Sequence, residues 1–271
     1  MYNPFNLSNR TAIVTGAGGA LGRSAAISLA RAGVKVVVLG RTLSSLEETV
    51  EKIKEVGGDA FAVSCDVLNK EELEAVRDET LKKFGSIDIL LNAAGGNVAG
   101  AVVQPDQSLF DMNMEDFDTV TKLNLNGSII PSLVFGKVMA EQGKGSIVNY
   151  SSMTVDRTIT RVAGYSASKA AITNFTRWMA VEMALKHGEG VRVNAISPGF
   201  FIGKQNKKLL LNEDGTPTSR GEAILRNTPY KRFGEADELN GAIHFLCSDA
   251  AKFVTGVIIP VDGGFSAFTG V

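Results

Sequence analysis

Seven short runs rich in β-branched residues alternate along this chain with longer amphipathic stretches, and this alternation limits its fold more than any other feature. The strand-like runs are residues 11–15, 34–39, 60–64, 87–91, 146–150, 191–195 and 256–261. The helix-like stretches are residues 21–32, 43–56, 70–84, 114–139, 165–186 and 236–247. The strand-like runs are almost continuously apolar, which is typical of strands covered by helices on both faces. The alternation predicts a doubly wound α/β fold, with a parallel sheet of about seven strands and helices on both faces.

The chain gives no sign of division into several domains. Its 271 residues suit one α/β sheet with its helices, and neither a Pro/Ser-rich linker nor a block of charge interrupts them. We therefore expect a single domain over residues 1–271. The alternation breaks between residues 199 and 234, where a polar segment of the kind that forms a substrate-binding loop or lid is inserted.

Composition excludes several classes of function. The 28 Lys and Arg residues balance 29 Asp and Glu residues without a local basic patch, so no nucleic-acid partner is expected. Two distant cysteines and two histidines have no zinc-ligand spacing, so two buried thiols and no metal are expected. The first ten residues do not resemble a signal peptide, and no run approaches the ~20 apolar residues of a membrane span. These features predict a cytoplasmic protein with no membrane partner.

A glycine-rich turn lies directly between the first predicted strand and the first predicted helix. It reads Thr-Gly-Ala-Gly-Gly-Ala-Leu-Gly from Thr15 to Gly22. Small residues at this place let the backbone approach a pyrophosphate at the helix N-terminus, although a tight turn without a ligand would use the same residues. The sequence therefore predicts a dinucleotide site, with contacts at Gly16, Gly18, Gly19, Leu21 and Gly22.

The residues after the second predicted strand bear on which dinucleotide binds. A carboxylate about 20 residues beyond the glycines would hold the free 2′-hydroxyl of NAD. This chain instead has Arg41 and Thr42, which could pair with the 2′-phosphate of NADP. An arginine in solvent or stacked on adenine is the alternative, so NADP is expected and NAD remains possible.

Tyr165 and Lys169 form the strongest candidate for chemistry. They lie four residues apart on a predicted helix and therefore share one face, although an ordinary amphipathic helix could carry the same pair. A nearby ammonium favours the phenolate and lowers the pKa of the phenol, so Tyr165 could exchange a proton with a substrate oxygen. Ser152 lies thirteen residues before Tyr165, at the end of the fifth predicted strand, where its hydroxyl could bind the same oxygen. Ser151 is expected to point the other way, because side chains alternate along a strand.

Two asparagine segments fit the same site. Residues 92–95, Asn-Ala-Ala-Gly, follow the fourth predicted strand, and Asn124 lies inside the long helix-like stretch. Asparagine is a poor residue for a helix interior, so Asn124 is expected to serve a purpose other than helix formation. We expect a helix kink that directs a carbonyl toward a water near Lys169.

Taken in order, these segments resemble the short-chain dehydrogenase/reductase family. The resemblance spans the chain and rests on Thr15-Gly16 to Gly22, Asp66, Asn92-Ala-Ala-Gly95, Asn124, Ser152, Tyr165-x-x-x-Lys169, Pro198-Gly199 and Val261-Asp-Gly-Gly264. It implies a Rossmann-type fold and hydride transfer between a nicotinamide and a carbinol or carbonyl carbon. Tyr165 would be the general acid/base, with Ser152 on the substrate oxygen, Lys169 on the nicotinamide ribose and Asn124 on a proton-relay water.

The resemblance also implies further contacts. The cofactor would meet Asp66, Val67, Asn92, Ala93, Gly95, Tyr165, Lys169, Pro198 and Gly199. A homotetramer is implied, with the helices around Asn124 and Tyr165 at one interface and the C-terminal strand region at another.

The chain departs from the family pattern in two places. Ala20 replaces the middle glycine of the usual loop, and the neighbouring Gly18 and Gly19 are expected to preserve the turn. After Pro198-Gly199 the chain reads Phe-Phe-Ile-Gly, without the hydroxyl that often contacts the nicotinamide amide. We expect the backbone of Ile202 to take over that contact.

Finer features are similar to the sugar-acid branch of the family, the D-mannonate oxidoreductases or fructuronate reductases. They are residues 95–97, 152–153, 198–201, 205–206, 214–221 and 228–234. In this interpretation Met153 lies beside the substrate, Asn97, Gln205 and Asn206 bind hydroxyls, and Arg157, Arg161 or Lys204 pairs with the carboxylate. A ketogluconate or 3-oxoacyl reductase, or a cofactor-binding regulator without catalysis, is the alternative.

Overall fold

The computed structural model describes residues 3–203 and 206–271. Seven parallel strands form one sheet in the order β3-β2-β1-β4-β5-β6-β7. The strands are β1 (Thr11–Thr15), β2 (Lys35–Gly40), β3 (Ala60–Ser64), β4 (Ile89–Asn92), β5 (Gly145–Tyr150), β6 (Val191–Pro198) and β7 (Ile258–Val261). The helices are α1 (Ala20–Arg31), α2 (Leu43–Glu55), α3 (Lys70–Phe84), α4 (Met114–Gln142), α5 (Ala163–His187), α6 (Lys207–Leu210), α7 (Ser219–Asn227) and α8 (Asn240–Cys247). The predicted doubly wound fold is confirmed.

Two apolar cores cover the two faces of the sheet. Successive residues of β1 divide between them, since Ala12 and Val14 belong to one core and Ile13 to the other. Val37 of β2 likewise joins Ile13. Every residue of β1, β4 and β6 is buried, as expected for central strands with helices on both sides. Because side chains alternate between the two faces and each face meets a core, β1 and β4 have buried residues at every position.

Helix boundaries follow from capping residues in the sequence. Asn69 caps α3 by accepting from the backbone N–H groups of Glu71 and Glu72, and Gly85 ends it with a left-handed φ of 83°. Asn113 and Gly143 bound α4 in the same way. These caps satisfy backbone groups that a helix leaves unpaired at its ends.

The sheet order reverses beside β1, which pairs with β2 on one side and β4 on the other. Thr15 and Asn92, the last residues of β1 and β4, are register partners. In open α/β sheets a ligand binds in the crevice outside the carboxyl ends of strands at such a switch point. The glycine-rich turn and the predicted catalytic residues therefore share one edge of the sheet.

The segment from 199 to 234 contains more regular structure than its sequence suggests. It includes α6 and α7, which pack in a small third core of Met153, Leu210, Ile224 and Phe265. The predicted helix over 236–247 is divided into a 3-10 turn (Ala236–Leu239) and α8. Within the described residues, none of the helices has the length and apolar character needed to cross a membrane.

Candidate active site

The glycine-rich turn brings three backbone segments together at the end of β1. Gly16 has a φ of 66°, and a Cβ there would lie 2.7 Å from the carbonyl oxygen of Ala93. A Cβ at Gly22 would lie 2.5 Å from the carbonyl oxygen of Gly16. Both positions therefore require glycine, and they hold the turn against the loop after β4.

The first turn of α1 is open to an anion. Gly19 precedes the helix in an extended conformation and provides no side-chain cap, and no acidic residue lies in the first turn. The unpaired backbone N–H groups at a helix N-terminus favour a phosphate. Gly18 and Leu21 flank this point in the sequence, and a Cβ at Gly18 would lie 3.1 Å from the Cβ of Ser45. The local structure fits the pyrophosphate of a dinucleotide.

Arg41 and Thr42 are exposed beyond the end of β2. Thr42 precedes α2 without making a side-chain cap, and the Arg41 guanidinium forms no ion pair with any of the residues described. Arg23, just after the turn, is instead bound to Glu48 at 2.9 Å and to Thr49 at 3.0 Å. Sequence reasoning did not single out Arg23, whose role is to fasten α1 to α2.

The loop after β3 carries two predicted cofactor contacts. Asp66 accepts a hydrogen bond from the backbone N–H of Leu68 at 2.9 Å. Val67 is buried against α4, where a Cβ on Gly127 would lie 3.0 Å from its Cγ2. Both residues lie at the same sheet edge as Arg41, and their contacts with the cofactor stay predictions.

Asn92 ties the centre of the sheet to α4. Its Nδ2 lies 2.8 Å from both Ser132 Oγ and Asn149 Oδ1. The following loop is held in turn, because the backbone N–H of Ala94 donates to Thr15 Oγ1 at 3.0 Å. These are the contacts of a residue that braces strands, and the adenosine-ribose contact of Asn92 stays a prediction.

Asn124 acts through its side chain. Its Nδ2 donates to the carbonyl oxygens of Gly96 at 2.7 Å and Val120 at 2.8 Å, and its Oδ1 accepts from the Gly96 N–H at 3.1 Å. A Cβ on Gly95 would lie 2.6 Å from that Oδ1. The helix α4 continues through Asn124, and the side chain reaches the loop after β4, so the expected kink stays a prediction.

The backbone carbonyl of Asn124 accepts from Ser128 Oγ at 3.3 Å. A carbonyl has a second lone pair, so this contact leaves room for the expected water. The water-directing role stays a prediction.

Ser152, Tyr165 and Lys169 meet at the end of β5. The Ser152 side chain lies close enough to the Tyr165 hydroxyl to lower its pKa. Lys169 is 4 % exposed, and its Nζ lies 5.5 Å from the centre of the Tyr165 ring. Ser151 points away, with its Oγ 2.5 Å from Thr173 Oγ1, as strand alternation predicts. The structure thus brings the three predicted side chains together at one point.

Burial controls the protonation of this group. It raises the pKa of Tyr165, and the neighbouring Ser152 side chain opposes that rise only in part. Burial also lowers the pKa of Lys169 to about 8. The expected lowering of the Tyr165 pKa by the ammonium stays a prediction. The Nζ atom itself donates to the Tyr150 carbonyl oxygen at 2.8 Å. That carbonyl was not predicted, since a backbone ligand leaves no signal in residue types.

The ends of β6 and β7 lie against each other. The backbone N–H of Gly199 donates to the carbonyl oxygen of Val261 at 3.0 Å, and a Cβ on Gly199 would lie 2.7 Å from Asp262 Cα. Pro198 ends β6, and Ile202 packs against the third core. The contact of the Ile202 backbone with the nicotinamide amide stays a prediction.

Several predicted substrate ligands make contacts within the protein. Asn206 closes its own loop by donating to the Phe201 carbonyl oxygen and accepting from the Gly203 N–H, both at 2.8 Å. Asn97 accepts from the N–H of Val98 at 3.1 Å. Met153 is buried beside Ser152. Lys204 and Gln205 lie outside the described residues.

The two predicted arginines also hold backbone. Arg161 donates through Nε to the Val103 carbonyl oxygen at 2.9 Å and through Nη2 to Gln104 Oε1 at 2.6 Å. Arg157 donates to the carbonyl oxygens of Ser266 at 2.8 Å and Phe268 at 3.2 Å. Arg157 is therefore anchored in the C-terminal segment.

Comparison with known proteins agrees with this geometry. A family model described as enoyl-(acyl carrier protein) reductase matches residues 16–266. An uncharacterized oxidoreductase of Bacillus subtilis is 44% identical over 275 residues, covering 98% of each chain. The 7alpha-hydroxysteroid dehydrogenase of Escherichia coli is 35% identical over 266 residues, covering 97% of this chain and 98% of the relative.

Solved structures show the same relationship. A crystal structure from Haemophilus influenza, provisionally named a D-mannonate oxidoreductase and containing NAD, superposes with a TM-score of 0.91 and 41% identity over 98% of both chains. Other similar structures contain NADP. The chain belongs to the short-chain dehydrogenase/reductase family and is an NAD(P)-dependent oxidoreductase that acts on CH–OH groups.

Proposed function

We propose that this enzyme interconverts D-fructuronate and D-mannonate, with NADP as its preferred cofactor. The observation that carries the substrate is the end-to-end similarity to the Haemophilus protein provisionally named for D-mannonate. The finer sequence features of that branch support the same substrate. The proximity of Ser152 and Tyr165 to each other and to buried Lys169 supports the reaction type.

The residues at the sheet edge divide the work of binding the cofactor. The backbone around Gly16, Gly18, Gly19, Leu21 and Gly22 would hold the pyrophosphate. Arg41 and Thr42, both exposed, would hold the 2′-phosphate of NADP. Asp66, Val67, Asn92, Ala93 and Gly95 would line the adenosine side, and Pro198, Gly199 and Ile202 the nicotinamide side. When bound, the nicotinamide supplies or accepts the hydride.

Proton transfer falls to the protein. Ser152 Oγ would donate a hydrogen bond to the substrate oxygen, and the Tyr165 hydroxyl would deliver a proton to that oxygen during reduction or remove it during oxidation. Because burial raises the pKa of Tyr165, the phenol is protonated near neutrality and ready for reduction. Lys169, whose pKa of about 8 keeps it largely charged at pH 7, would favour the phenolate that remains after the proton leaves.

An assay of nicotinamide absorbance tests this proposal. Purified enzyme would be given D-fructuronate with NADPH and NADH in parallel, and D-tagaturonate and 5-ketogluconate as competing substrates. We expect the highest kcat/KM with D-fructuronate and NADPH. Higher kcat/KM with another ketoacid would contradict the substrate, and a preference for NADH would contradict the role of Arg41.

We also propose that the enzyme assembles as a homotetramer. Helix α5 exposes Trp178, Val181 and Leu185 at helical spacing, and the neighbouring α4 exposes Leu133. Such an apolar face suits a symmetric interface, and edge strand β7 offers a second. Light scattering should give four times the chain mass of 28.7 kDa, and a mass of 28.7 kDa would contradict the assembly.

A further inference from the structure

Arg157, Arg161 and Arg220 lie around the segment that joins Ser152 to Tyr165. None of the three forms an ion pair with a carboxylate in residues 3–203 and 206–271. Arginines elsewhere do form such pairs, for example Arg10 with Asp249 at 2.6 Å and Arg232 with Glu238 at 2.5 Å. Three guanidiniums without an ion-pair partner among the described residues therefore lie around this segment.

Arg220 makes the weakest contacts of the three. Its Nη1 lies 3.5 Å from Thr160 Oγ1 and its Nη2 lies 3.3 Å from the Thr160 carbonyl oxygen. Charge-assisted bonds from a guanidinium to a carboxylate are shorter and about twice as strong as bonds between neutral groups. A partly buried guanidinium held only by long bonds to uncharged oxygens can exchange them for a better partner.

The position of Arg220 on α7 directs it toward the catalytic segment. Ile224 lies four residues further along the same helix and therefore on the same face. Ile224 packs in the third core with Met153, the residue directly after Ser152. Arg220 contacts Thr160, five residues before Tyr165. The face of α7 that carries Arg220 thus spans the segment between the two proposed catalytic hydroxyls.

Arg161 adds a second positive charge at the same place. Its backbone has a φ of 79°, a left-handed conformation that is strained by about 1–2 kcal/mol in a residue other than glycine. The strain is maintained because Val103 bonds to it twice, through the Arg161 carbonyl and through Nε. Strained residues held in this way cluster at functional sites. Burial lowers the pKa of Arg220, and the charge of Arg161 lowers it further, so the two guanidiniums repel each other.

We propose that Arg220, with Arg161 beside it, binds the carboxylate of the substrate. Neither Arg157 nor Arg161 is the direct ligand, because both hold protein oxygens through shorter hydrogen bonds than those of Arg220. Arg161 instead contributes positive charge beside Arg220. The proposal rests on the proposed function for the identity of the acid, and it adds the residue that selects it. The segment 199–234 would then discriminate sugar acids from neutral polyols of the same length, because a polyol leaves the repulsion between the two arginines unrelieved.

Binding measurements can test this without turnover. Enzyme saturated with NADPH cannot oxidise D-mannonate, so its dissociation constant can be measured by calorimetry beside that of D-mannitol, the neutral polyol of the same length. Arg220→Gln keeps a donor for the Thr160 carbonyl but removes the charge. We expect the D-mannonate dissociation constant to rise about 10- to 100-fold, as for the loss of a charged hydrogen bond, with no change for D-mannitol.

Two further variants serve as controls. Arg226→Gln removes an exposed charge from the same helix and should change neither constant. Arg220→Lys keeps the charge without the planar fork and should fall between wild type and Arg220→Gln. Unfolding temperatures of all three variants would establish that they fold.

The outcomes separate the anion site from the proposed function. Equal weakening of both ligands by Arg220→Gln, or no weakening, would show that Arg220 only fastens α7 and would overturn the inference. Failure of wild type to bind either D-mannonate or D-gluconate would also overturn it. If D-mannonate binds in an Arg220-dependent manner but is not oxidised with NADP or NAD, the anion site stands and the proposed substrate fails.

Discussion

The nucleotide side of the sheet and the segment 199–234 are built from different kinds of contact. Around β1 and β4 backbone segments pack directly against each other, so that there is no room for a side chain at Gly16 or Gly22. In segment 199–234 side chains hold the backbone, as Asn206 closes its loop and Arg220 reaches Thr160. Few sequences are compatible with the close backbone packing around β1 and β4. Many different side chains could form the contacts in segment 199–234.

The two regions also differ in the extent of the apolar core that supports them. The nucleotide side rests on two extensive cores that continue through the whole sheet. Helices α6 and α7 of segment 199–234 instead pack on a small core of four buried residues, two of which, Met153 and Phe265, come from outside the segment. Within one family, we therefore expect nucleotide binding to be robust and substrate choice to change readily, in line with relatives named for a steroid and, provisionally, for a sugar acid.

The largest effect on activity should come from a substitution at Tyr165, where the two regions meet. Tyr165→Phe removes the proposed proton donor and should lower kcat by about 10²–10⁴-fold, the usual contribution of general acid–base catalysis. Cofactor affinity, followed by fluorescence titration, should change little. Activity near wild type would contradict the role of Tyr165.

Tyr150→Phe provides a matched control. The Tyr150 hydroxyl is buried without a hydrogen-bond partner in the described structure, so its removal leaves no unpaired group behind. We expect full activity and an unfolding temperature equal to wild type or higher. A loss comparable to that of Tyr165→Phe would indicate a general sensitivity of the site to tyrosine replacement.

A smaller effect is expected where the backbone passes closely on the nucleotide side. Gly16→Ala combines an unfavourable left-handed φ with a Cβ 2.7 Å from the Ala93 carbonyl oxygen, and should cost about 2–4 kcal/mol of stability. Gly57→Ala has a similar φ of 77° with nothing within 4 Å, and should cost about 1–2 kcal/mol. Urea unfolding measures both, and equal losses would show that the close approach contributes nothing.

The third core supports the substrate side of the molecule, as the close backbone contacts at Gly16 support the nucleotide side. Ile224→Ala should destabilise segment 199–234 by about 2 kcal/mol, the low end for such a truncation because the core is small. We expect a higher KM for the sugar acid and an unchanged dissociation constant for the nucleotide. If nucleotide binding weakens as much as KM rises, the two regions are not independent.

The smallest effect concerns pH. Burial lowers the pKa of Lys169 from 10.5 to about 8, so between these values the unfolded chain binds a proton that the folded chain does not. Stability should therefore rise with pH in this window, by about 1 kcal/mol per pH unit relative to Lys169→Met. Urea unfolding of both proteins from pH 7 to 10 tests this, and parallel curves would contradict the burial of an ionisable lysine.

The difference between backbone packing and side-chain contacts also explains what could be predicted from the sequence. The sheet, the glycine turn and the Ser152, Tyr165 and Lys169 cluster follow from periodicity and spacing, because each requires a particular residue type at a particular place. The side-chain role of Asn124 and the partners of Arg157, Arg161 and Asn206 could not be foreseen. Their contacts join residues distant in the sequence, and an amide or guanidinium can bond to almost any carbonyl.

The third core has a consequence for the order in which the enzyme folds during synthesis. Phe265 follows β7 in the sequence, whereas β1 to β4 are complete by Asn92. Because a ribosome delivers the chain from its N-terminus, all seven strands emerge before Phe265 does. The third core can therefore close only after the rest of the sheet has emerged, and the ability to choose a substrate would be the last property that a nascent chain acquires.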